Sequence, residues 1–396
     1  MRITLLCLLI SLNSWAASNE WKQRPNLSGS PRYNPVGFSY NGKGYIGTGL
    51  SSSGALKDLW QFDPVANSWT QKANMPGSGR YGASAFVIGH FAYVGCGWSP
   101  SQLVDFYRYD FNSNTWFSVA SYPGTPFYTG VAFSIGSKGY TGVGFLPYTK
   151  EFFEYDTTTN AWTRKADFAG GIRQSSYSFS YNGKGYVTTG SYGFPANPYK
   201  DMWEYNPQTD QWTQKQDMPG SIRYGASGFV IGSKAYIGLG QDGTNYFKDF
   251  FAYDIPSDTW TTLDTFPGIT RVFPGNFSIG NSGFLCAGGI SGTSTNYNDL
   301  WEYAPKETSS TSLFEVNVYN SPGDGNIYVD FLLGFRPGME MIIFSVDGKL
   351  VRKVKLDQEQ NQIYLPTLAS AMYVYRVYNN SLEFETKGKL MVIKRN

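Results

Sequence analysis

Five arginines recur at one position of a repeating unit, and they are the residues best suited to hold an anion. Each stands six positions before a phenylalanine, and in the third unit a phenylalanine replaces the arginine. The set is Arg32, Arg80, Phe127, Arg173, Arg223 and Arg271. Guanidinium groups bind carboxylates and sulfates through paired hydrogen bonds. If these side chains face a common channel, they form a site for an acidic ligand.

Each unit also carries an acid that could neutralise its arginine. The six acids are Asp58, Asp105, Glu151, Asp201, Asp249 and Asp299. Repeated charge pairs are often part of the framework, so the arginines are either free for a ligand or paired within their units. The third unit has no arginine at the repeated position to pair with Glu151. Of the six acids, Glu151 is therefore the candidate to face a ligand, the alternative being an exposed, solvated glutamate.

Six tryptophans show how these residues are positioned. They are Trp21, Trp69, Trp116, Trp162, Trp212 and Trp260, at steps of 48, 47, 46, 50 and 48 residues. A period near 50 is typical of propeller blades. Each unit also contains a Tyr-x-Gly-x-Gly segment, loosened to Phe284–Gly288 in the sixth, and then an acid-x-aromatic-x-aromatic strand. Each unit is therefore predicted to be a four-stranded blade.

The chain ends of this region predict how the ring closes. The sixth unit ends near Pro305 without a tryptophan strand, whereas Trp21 begins the first unit with a spare one. Pairing the two would leave few unpaired edges. We expect the N-terminal strand to complete the sixth blade.

Composition excludes several classes of function. The formal charge is only +2, which gives no support for nucleic acid binding. His90 is the single histidine, and Cys96 and Cys286 are the only cysteines after residue 16, so no metal or cofactor is predicted. We also expect no catalytic residue and a monomeric chain.

Residues 1–16 read as a secretory signal peptide. Arg2 precedes an apolar run from Ile3 to Leu12, and small residues suited to cleavage follow up to Ala16. The run is too short to span a membrane. The mature chain is predicted to be exported, with no membrane span.

The glycine pairs, the acid-led aromatic strand and the following tryptophan resemble kelch repeats from about Trp21 to Pro305. The resemblance implies an all-β chain whose residues 17–305 form a six-bladed kelch β-propeller. It also implies that the five arginines face the central mouth, since kelch adaptors use arginines at this position for acidic peptides. Copper-containing kelch oxidases need several histidines, which this chain lacks.

Aromatic residues in the loops between the second and third strands suggest where a ligand lies. These residues are Trp98, Phe145, Tyr148, Tyr192, Phe194, Tyr199, Tyr246 and Tyr297. Variable aromatic loops on a rigid scaffold are typical of binding surfaces, although such rings can also pack between blades. Trp98 and Tyr192 complete the candidate site.

The composition changes after Pro305. A polar linker, residues 306–313, precedes about seven short strands in residues 314–396, which predict a small Ig-like β-sandwich. Four segments resemble the C-terminal sorting domain of type IX secretion cargo. They are Val318–Gly325, Asp347–Val351, Leu368–Val377 and Lys387–Leu390. The resemblance implies contact with the type IX machinery and passage through the periplasm to the surface or exterior of a Gram-negative bacterium.

Three functions fit these residues. The first is a non-catalytic propeller that binds a glycan or peptide, possibly anionic, at the arginine- and aromatic-lined face. The second is a carbohydrate-active enzyme resembling kelch-type sialic acid epimerases, with Glu151 or the aspartates in acid–base roles. The third is a structural surface protein.

Overall fold

The computed structural model describes residues 20–305, 315–320, 326–333, 339–346, 349–356, 360–364, 371–379 and 385–392. The predicted signal peptide and linker lie outside these ranges. The chain divides into two compact units, residues 1–305 and 306–396. All the regular elements in the described ranges are β-strands, and they pair into sheets, as predicted for an all-β protein.

Residues 20–305 form six four-stranded antiparallel sheets. Each of the first five is built from one continuous stretch of the chain, and the sixth also takes in the first strand. The chain begins with β1 (Glu20–Arg24), which belongs to the last sheet. Sheet 1 contains β2 (Val36–Tyr40), β3 (Lys43–Gly47), β6 (Leu59–Asp63) and β7 (Ser68–Lys72), with a short hairpin of β4 (Leu50–Ser51) and β5 (Gly54–Ala55). Sheet 2 contains β8 (Ser84–Ile88), β9 (Phe91–Gly95), β10 (Phe106–Asp110) and β11 (Thr115–Val119). Sheet 3 contains β12 (Val131–Ile135), β13 (Lys138–Gly142), β14 (Phe152–Asp156) and β15 (Ala161–Lys165).

The remaining three sheets repeat this order. Sheet 4 contains β16 (Tyr177–Tyr181), β17 (Lys184–Thr188), β20 (Met202–Asn206) and β21 (Gln211–Lys215), with a hairpin of β18 (Ser191–Tyr192) and β19 (Asn197–Pro198). Sheet 5 contains β22 (Ser227–Ile231), β23 (Lys234–Gly238), β24 (Phe250–Asp254) and β25 (Thr259–Leu263). Sheet 6 contains β26 (Gly275–Ile279), β27 (Ser282–Cys286), β28 (Leu300–Ala304) and β1. The first strands of successive sheets pack against one another.

Turn residues explain why the strands reverse where they do. Asn41 and Gly42, between β2 and β3, have φ of 46° and 71°. Two successive left-handed residues match the twist of a tight hairpin, which is why Asn-Gly is favoured there. The turn between β6 and β7 instead uses the Asp63 carboxylate, whose Oδ1 accepts a hydrogen bond from the Val65 amide at 2.9 Å.

The tryptophans join neighbouring sheets. The indole Nε1 of Trp116 donates to the Ala73 carbonyl at 2.8 Å, and that of Trp162 donates to the Ala120 carbonyl at 2.9 Å. Each acceptor belongs to the segment that leaves the preceding sheet. These repeated tryptophans therefore hold neighbouring sheets together.

The terminal strand completes the last sheet. β1 pairs antiparallel with β28, with Trp21 opposite Tyr303. Trp21 packs edge-on against Phe250 and Phe266 of sheet 5 and its following segment, with ring centroids 5.1 and 5.0 Å apart. This pairing agrees with the strand order predicted from the missing tryptophan.

The second unit has two antiparallel sheets in its described ranges. Its strands are β29 (Glu315–Asn320), β30 (Asn326–Leu333), β31 (Met339–Ser345), β32 (Leu350–Leu356), β33 (Gln360–Tyr364), β34 (Ala371–Asn379) and β35 (Glu385–Val392). One sheet has the order β29-β30-β33 and the other β32-β31-β34-β35. Met341, Ile343 and Val377 are fully buried, as expected for a unit with its own apolar core.

Candidate functional site

The five repeated arginines are completely buried in the first unit. Arg32, which precedes β2, forms a paired contact with Asp58: Nη1 lies 2.6 Å from Oδ1 and Nη2 lies 2.7 Å from Oδ2. Nη1 also donates to the Thr48 carbonyl at the end of β3. The five pairs are Arg32–Asp58, Arg80–Asp105, Arg173–Asp201, Arg223–Asp249 and Arg271–Asp299.

The expectation that these guanidinium groups face the channel is therefore wrong. Each arginine side chain is 0% exposed, because it runs into its own sheet and binds the acid that precedes the third strand. Aromatic rings cover the guanidinium: the Arg173 Cζ lies 4.1 Å from the Tyr199 ring centre. The Asp201 carboxylate also accepts the Trp203 indole at 2.7 Å. The arginines link three strands and are framework.

In sheet 3, Phe127 occupies the repeated arginine position, and Glu151 occupies the position of the paired acid. Phe127 is 0% exposed and packs edge-on against Tyr122, with centroids 5.1 Å apart. Glu151 turns outward, where its Oε1 lies 3.0 Å from Nη1 of Arg164 and its Oε2 accepts the Thr125 amide at 2.8 Å. Glu151 has no arginine at the repeated position, as the sequence indicated, and Arg164 on β15 is its ionic partner instead.

Six residues just before the first strands build a ring of backbone hydrogen bonds at the mouth. All six have positive φ, the left-handed conformation that reverses the local course of the chain. Five hydrogen bonds join the six residues in order from Asn34 to Phe273, the amide of each donating to the carbonyl of the one before it, for example Thr129 to Gly82 and Ser175 to Thr129, both at 2.8 Å. The ring, here called the throat ring, consists of Asn34, Gly82, Thr129, Ser175, Gly225 and Phe273.

Above the throat ring lies a cavity of about 640 Å³, here called the mouth cavity. Its wall includes the residues that directly follow the arginine positions in five of the six sheets. They are Tyr33, Tyr81, Tyr128, Gln174 and Tyr224. The loops between the second and third strands of the sheets add Phe145, Ser191, Phe194 and Asp242. The sequence prediction missed these tyrosines, although a tyrosine following the arginine position in four units was a signal that could have identified them.

Several polar groups of the mouth cavity have no protein partner. Within residues 20–305, no hydrogen bond engages the hydroxyls of Tyr81, Tyr128 and Tyr224. Asn34 Nδ2 and Ser191 Oγ are buried and likewise unpartnered in this part of the chain. Buried polar groups normally find partners, so Asn34 Nδ2 and Ser191 Oγ are open to a hydrogen bond with water or with a bound molecule.

The titratable groups of the mouth cavity are shifted away from neutral pH. Burial raises the pKa of Tyr128 to about 12, and burial also raises the pKa of Tyr33. Hydrogen bonds from the Asn245 amide and side chain lower the pKa of Asp242. Of the residues that line the cavity, Asp242 alone is charged. Near neutral pH the wall therefore presents neutral phenols and one carboxylate.

Trp98 and Tyr192 lie on the rim. The Trp98 ring packs against Tyr128 at 5.3 Å, and Tyr192, 40% exposed on β18, packs against Tyr148 at 4.9 Å. Neither contributes to the wall of the mouth cavity. Trp98 contacts Tyr128, which lines the cavity, and Tyr192 contacts Tyr148, which packs on the lining residue Phe145. The two predicted aromatic residues therefore flank the cavity.

The two cysteines and the single histidine of the described residues do not line the mouth cavity. Cys96 and Cys286 are free and buried, and burial raises the pKa of both thiols. His90 is exposed in the turn between β8 and β9. In the described ranges, no cluster of three or more histidine, cysteine or acidic side chains could hold a metal ion, and no helix could cross a membrane.

The fold and the C-terminal sequence define an exported β-propeller protein. Residues 317–393 match the family described as the secretion system C-terminal sorting domain. That domain directs type IX secretion to the cell surface or exterior of Gram-negative bacteria, so the predicted localisation is confirmed.

The solved structure described as "Structure of YjhT" is similar over 72% of this chain and 98% of that chain, with a TM-score of 0.61. Its sequence identity is 17%, so the similarity shows the β-propeller fold alone. No curated protein matches this sequence.

Proposed function

We propose that this exported chain is a six-bladed kelch propeller, followed by a sandwich-like sorting domain, and that it binds a neutral glycan in the mouth cavity. The main support is a cavity of about 640 Å³ in which the hydroxyls of Tyr81, Tyr128 and Tyr224 have no protein partner within residues 20–305. Cavities of this size commonly hold small ligands. Sugars offer apolar ring faces and many hydroxyls, and the wall offers aromatic rings beside free donors and acceptors.

The charge distribution favours a neutral ligand over an acidic one. The arginines that first suggested an anion site are neutralised by aspartates and 0% exposed. The remaining wall charge is the Asp242 carboxylate, which would repel a second negative charge. The ligand class is therefore revised from a possibly anionic glycan or peptide to a neutral glycan.

The pKa shifts favour binding without turnover. A general base works best with a pKa near the operating pH. Burial moves the Tyr128 pKa up to about 12, while the Asn245 hydrogen bonds move the Asp242 pKa down. Glu151, the acid assigned to the enzyme hypothesis, pairs with Arg164 and does not line the mouth cavity.

A glycan array probed with the full-length exported chain tests this function. We expect binding to neutral glycans, little binding to sulfated or sialylated ones, and a loss of at least about tenfold in Tyr128→Ala. Tyr181→Ala is the matched control, because Tyr181 lies at the hairpin end of β16, away from the mouth cavity. Absence of binding to every glycan would favour a structural role instead, and binding unaffected by Tyr128→Ala would contradict the mouth cavity as the site.

A further inference from the structure

We infer that the mouth cavity is the end of a longer site, and that the ligand is a neutral oligosaccharide whose chain leaves over sheets 2, 3 and 4. This inference rests on the proposed function. It adds the size of the ligand and the direction in which the chain extends.

The evidence is a continuous row of aromatic rings that passes through the wall of the mouth cavity and extends outside it. The row, here called the aromatic track, consists of Trp98, Tyr128, Phe145, Tyr148 and Tyr192. From Tyr128 the ring centroids are 5.5 Å from Phe145, then 4.6 Å to Tyr148 and 4.9 Å to Tyr192, while Trp98 lies 5.3 Å from Tyr128 on the other side. Tyr128 and Phe145 line the cavity and the other three lie beyond it.

A rigid hairpin extends the track above the surface. Phe194 stands at the tip of the β18–β19 hairpin and is fully exposed, at 103%. The hairpin is held by the pairing of Ser191 with Pro198 and by Asn197 Nδ2, which donates to the Tyr192 carbonyl. The Tyr148 hydroxyl also donates to the Gly193 carbonyl at 3.3 Å. An apolar ring displayed this openly on an ordered support is typical of a contact surface.

The opposite half of the rim has a different chemistry. The loops of sheets 5, 6 and 1 are polar there, at residues 242–245, 291–295 and 51–53. Their polar groups largely bond within their own loops: Asp242 Oδ1 accepts the Thr244 and Asn245 amides at 2.8 and 2.7 Å. The loops on that side do carry Tyr246 and Tyr297, but the Tyr246 hydroxyl donates to the Ser291 carbonyl and Tyr297 covers Arg271, so the aromatic track offers the longer row of rings.

The chemistry of the track favours a glycan over a peptide. The track contains no charged side chain, and its rings continue directly from a cavity with free phenol hydroxyls. A saccharide chain can place one sugar in that cavity and stack its following rings on the aromatic faces. A peptide would bring backbone amides, for which the track offers few free acceptors, since the Tyr148 hydroxyl already contacts Gly193 and Gln174.

The test is a length series with the full-length chain. Isothermal titration would use β-linked glucan, mannan, xylan and N-acetylglucosamine oligosaccharides, each with two and six sugar units. In any series that binds, we expect the six-unit form to bind at least about tenfold more tightly than the two-unit form, a gain equivalent to one or two stacking contacts. Tyr192→Ala, which lies outside the cavity, should lower that ratio toward one. Phe194→Ala should also lower it, and because Phe194 lines the mouth cavity as well, this variant should weaken the two-unit form too. Tyr181→Ala should preserve the ratio.

The possible outcomes separate the two proposals. Equal affinity for two- and six-unit forms, or a ratio unchanged in both Tyr192→Ala and Phe194→Ala, overturns the oligosaccharide inference and leaves the glycan cavity in place. No binding in any series overturns both. Binding of peptides to the rim, lost in Phe194→Ala, with no glycan bound, also overturns both. Phe194 is fully exposed, so its variant should fold as the parent does.

Discussion

At the scale of single residues, consecutive positions have opposite roles. Arg80 is completely buried against Asp105, while Tyr81 directly after it lines the mouth cavity. Burial by itself would raise the pKa of Asp105, but the hydrogen bond and charge of Arg80 outweigh it and lower the pKa. The charged residue thus stabilises the sheet, and the neutral residue is available to a ligand.

Replacing one buried arginine should therefore destabilise the fold. Arg173→Met leaves the Asp201 carboxylate, only 18% exposed, without its partner, and we expect a loss of about 3 kcal/mol in unfolding free energy. Urea denaturation measures this loss. The matched control is Arg164→Met, whose side chain is 53% exposed and whose ion pairs should contribute less than about 1 kcal/mol. A stable Arg173→Met variant that loses ligand binding would contradict the framework role.

Ligand binding should be insensitive to pH between about pH 5 and pH 9. The raised pKa of Tyr128, about 12, keeps its phenol protonated throughout this range. The lowered pKa of Asp242 keeps that carboxylate charged. Because neither group gains or loses a proton, titrations at three pH values should give one affinity within about twofold. A transition centred near neutral pH would indicate a different binding group.

From the sequence, the types of residue near the site could be predicted better than the directions in which their side chains point. The arginines and aspartates were both visible, and pairing was one of two open alternatives. What could not be read was the left-handed conformation at Asn34 and Thr129, non-glycine residues with φ of 53° and 55°. That conformation depends on the amides of neighbouring sheets, so the direction of Tyr33 and Tyr128 is a tertiary property.

At the scale of the elements, close packing between sheets explains the repeated glycines. A Cβ built on Gly185 of β17 would lie 2.2 Å from the Phe133 ring of sheet 3, and one on Gly139 would lie 2.1 Å from Phe86 of sheet 2. A side chain at either position would displace the ring, and overpacking of this kind is destabilising. These glycines therefore allow a first-strand phenylalanine to lie flat on the next sheet.

The terminal strand should be as well anchored as an internal one. Trp21→Ala removes packing against Phe250, Phe266 and Tyr303, so we expect a loss of about 3 kcal/mol in unfolding free energy. Trp69→Ala, in the middle of the chain, is the matched comparison and should cost about as much. A cost below about 1 kcal/mol for Trp21→Ala alone would mean that β1 does not hold the sheets together.

The strand pattern was largely predictable because each sheet repeats the same signals. The tryptophan spacing, the Asn-Gly turns and the missing last strand gave the sheet order and the pairing of β1 with β28. The throat ring was not predictable, since it consists of backbone hydrogen bonds between residues of different type, from Gly82 to Phe273. Because these contacts use only backbone atoms, they do not require the same residue type in each unit, so the sequence shows no repeat at these positions.

At the scale of the whole molecule, export and binding belong to different parts of the chain. The sorting domain matches residues 317–393, whereas the mouth cavity lies within residues 20–305. The chain divides at residue 305, between these two parts. Secretion therefore delivers the part of the chain that holds the mouth cavity to the cell surface or exterior.

Removing residues 306–396 should stop passage across the outer membrane. We expect the shortened chain to accumulate in the periplasm, because the sorting domain is the part that type IX secretion requires. Cell fractionation followed by immunoblotting measures this. The full-length Phe117→Ala variant serves as control, since Phe117 is an exposed residue of β11. Recovery of the shortened chain at the cell surface would contradict this account.

The central claim is that the tyrosines of the mouth cavity, and not the repeated arginines, contact the ligand. Isothermal titration of Tyr81→Phe/Tyr224→Phe tests it directly, with a neutral oligosaccharide identified on the array. Both hydroxyls have no protein partner, so thermal stability should be unchanged, while affinity should fall by about tenfold or more for two lost hydrogen bonds. Unchanged affinity in this double variant would contradict the account.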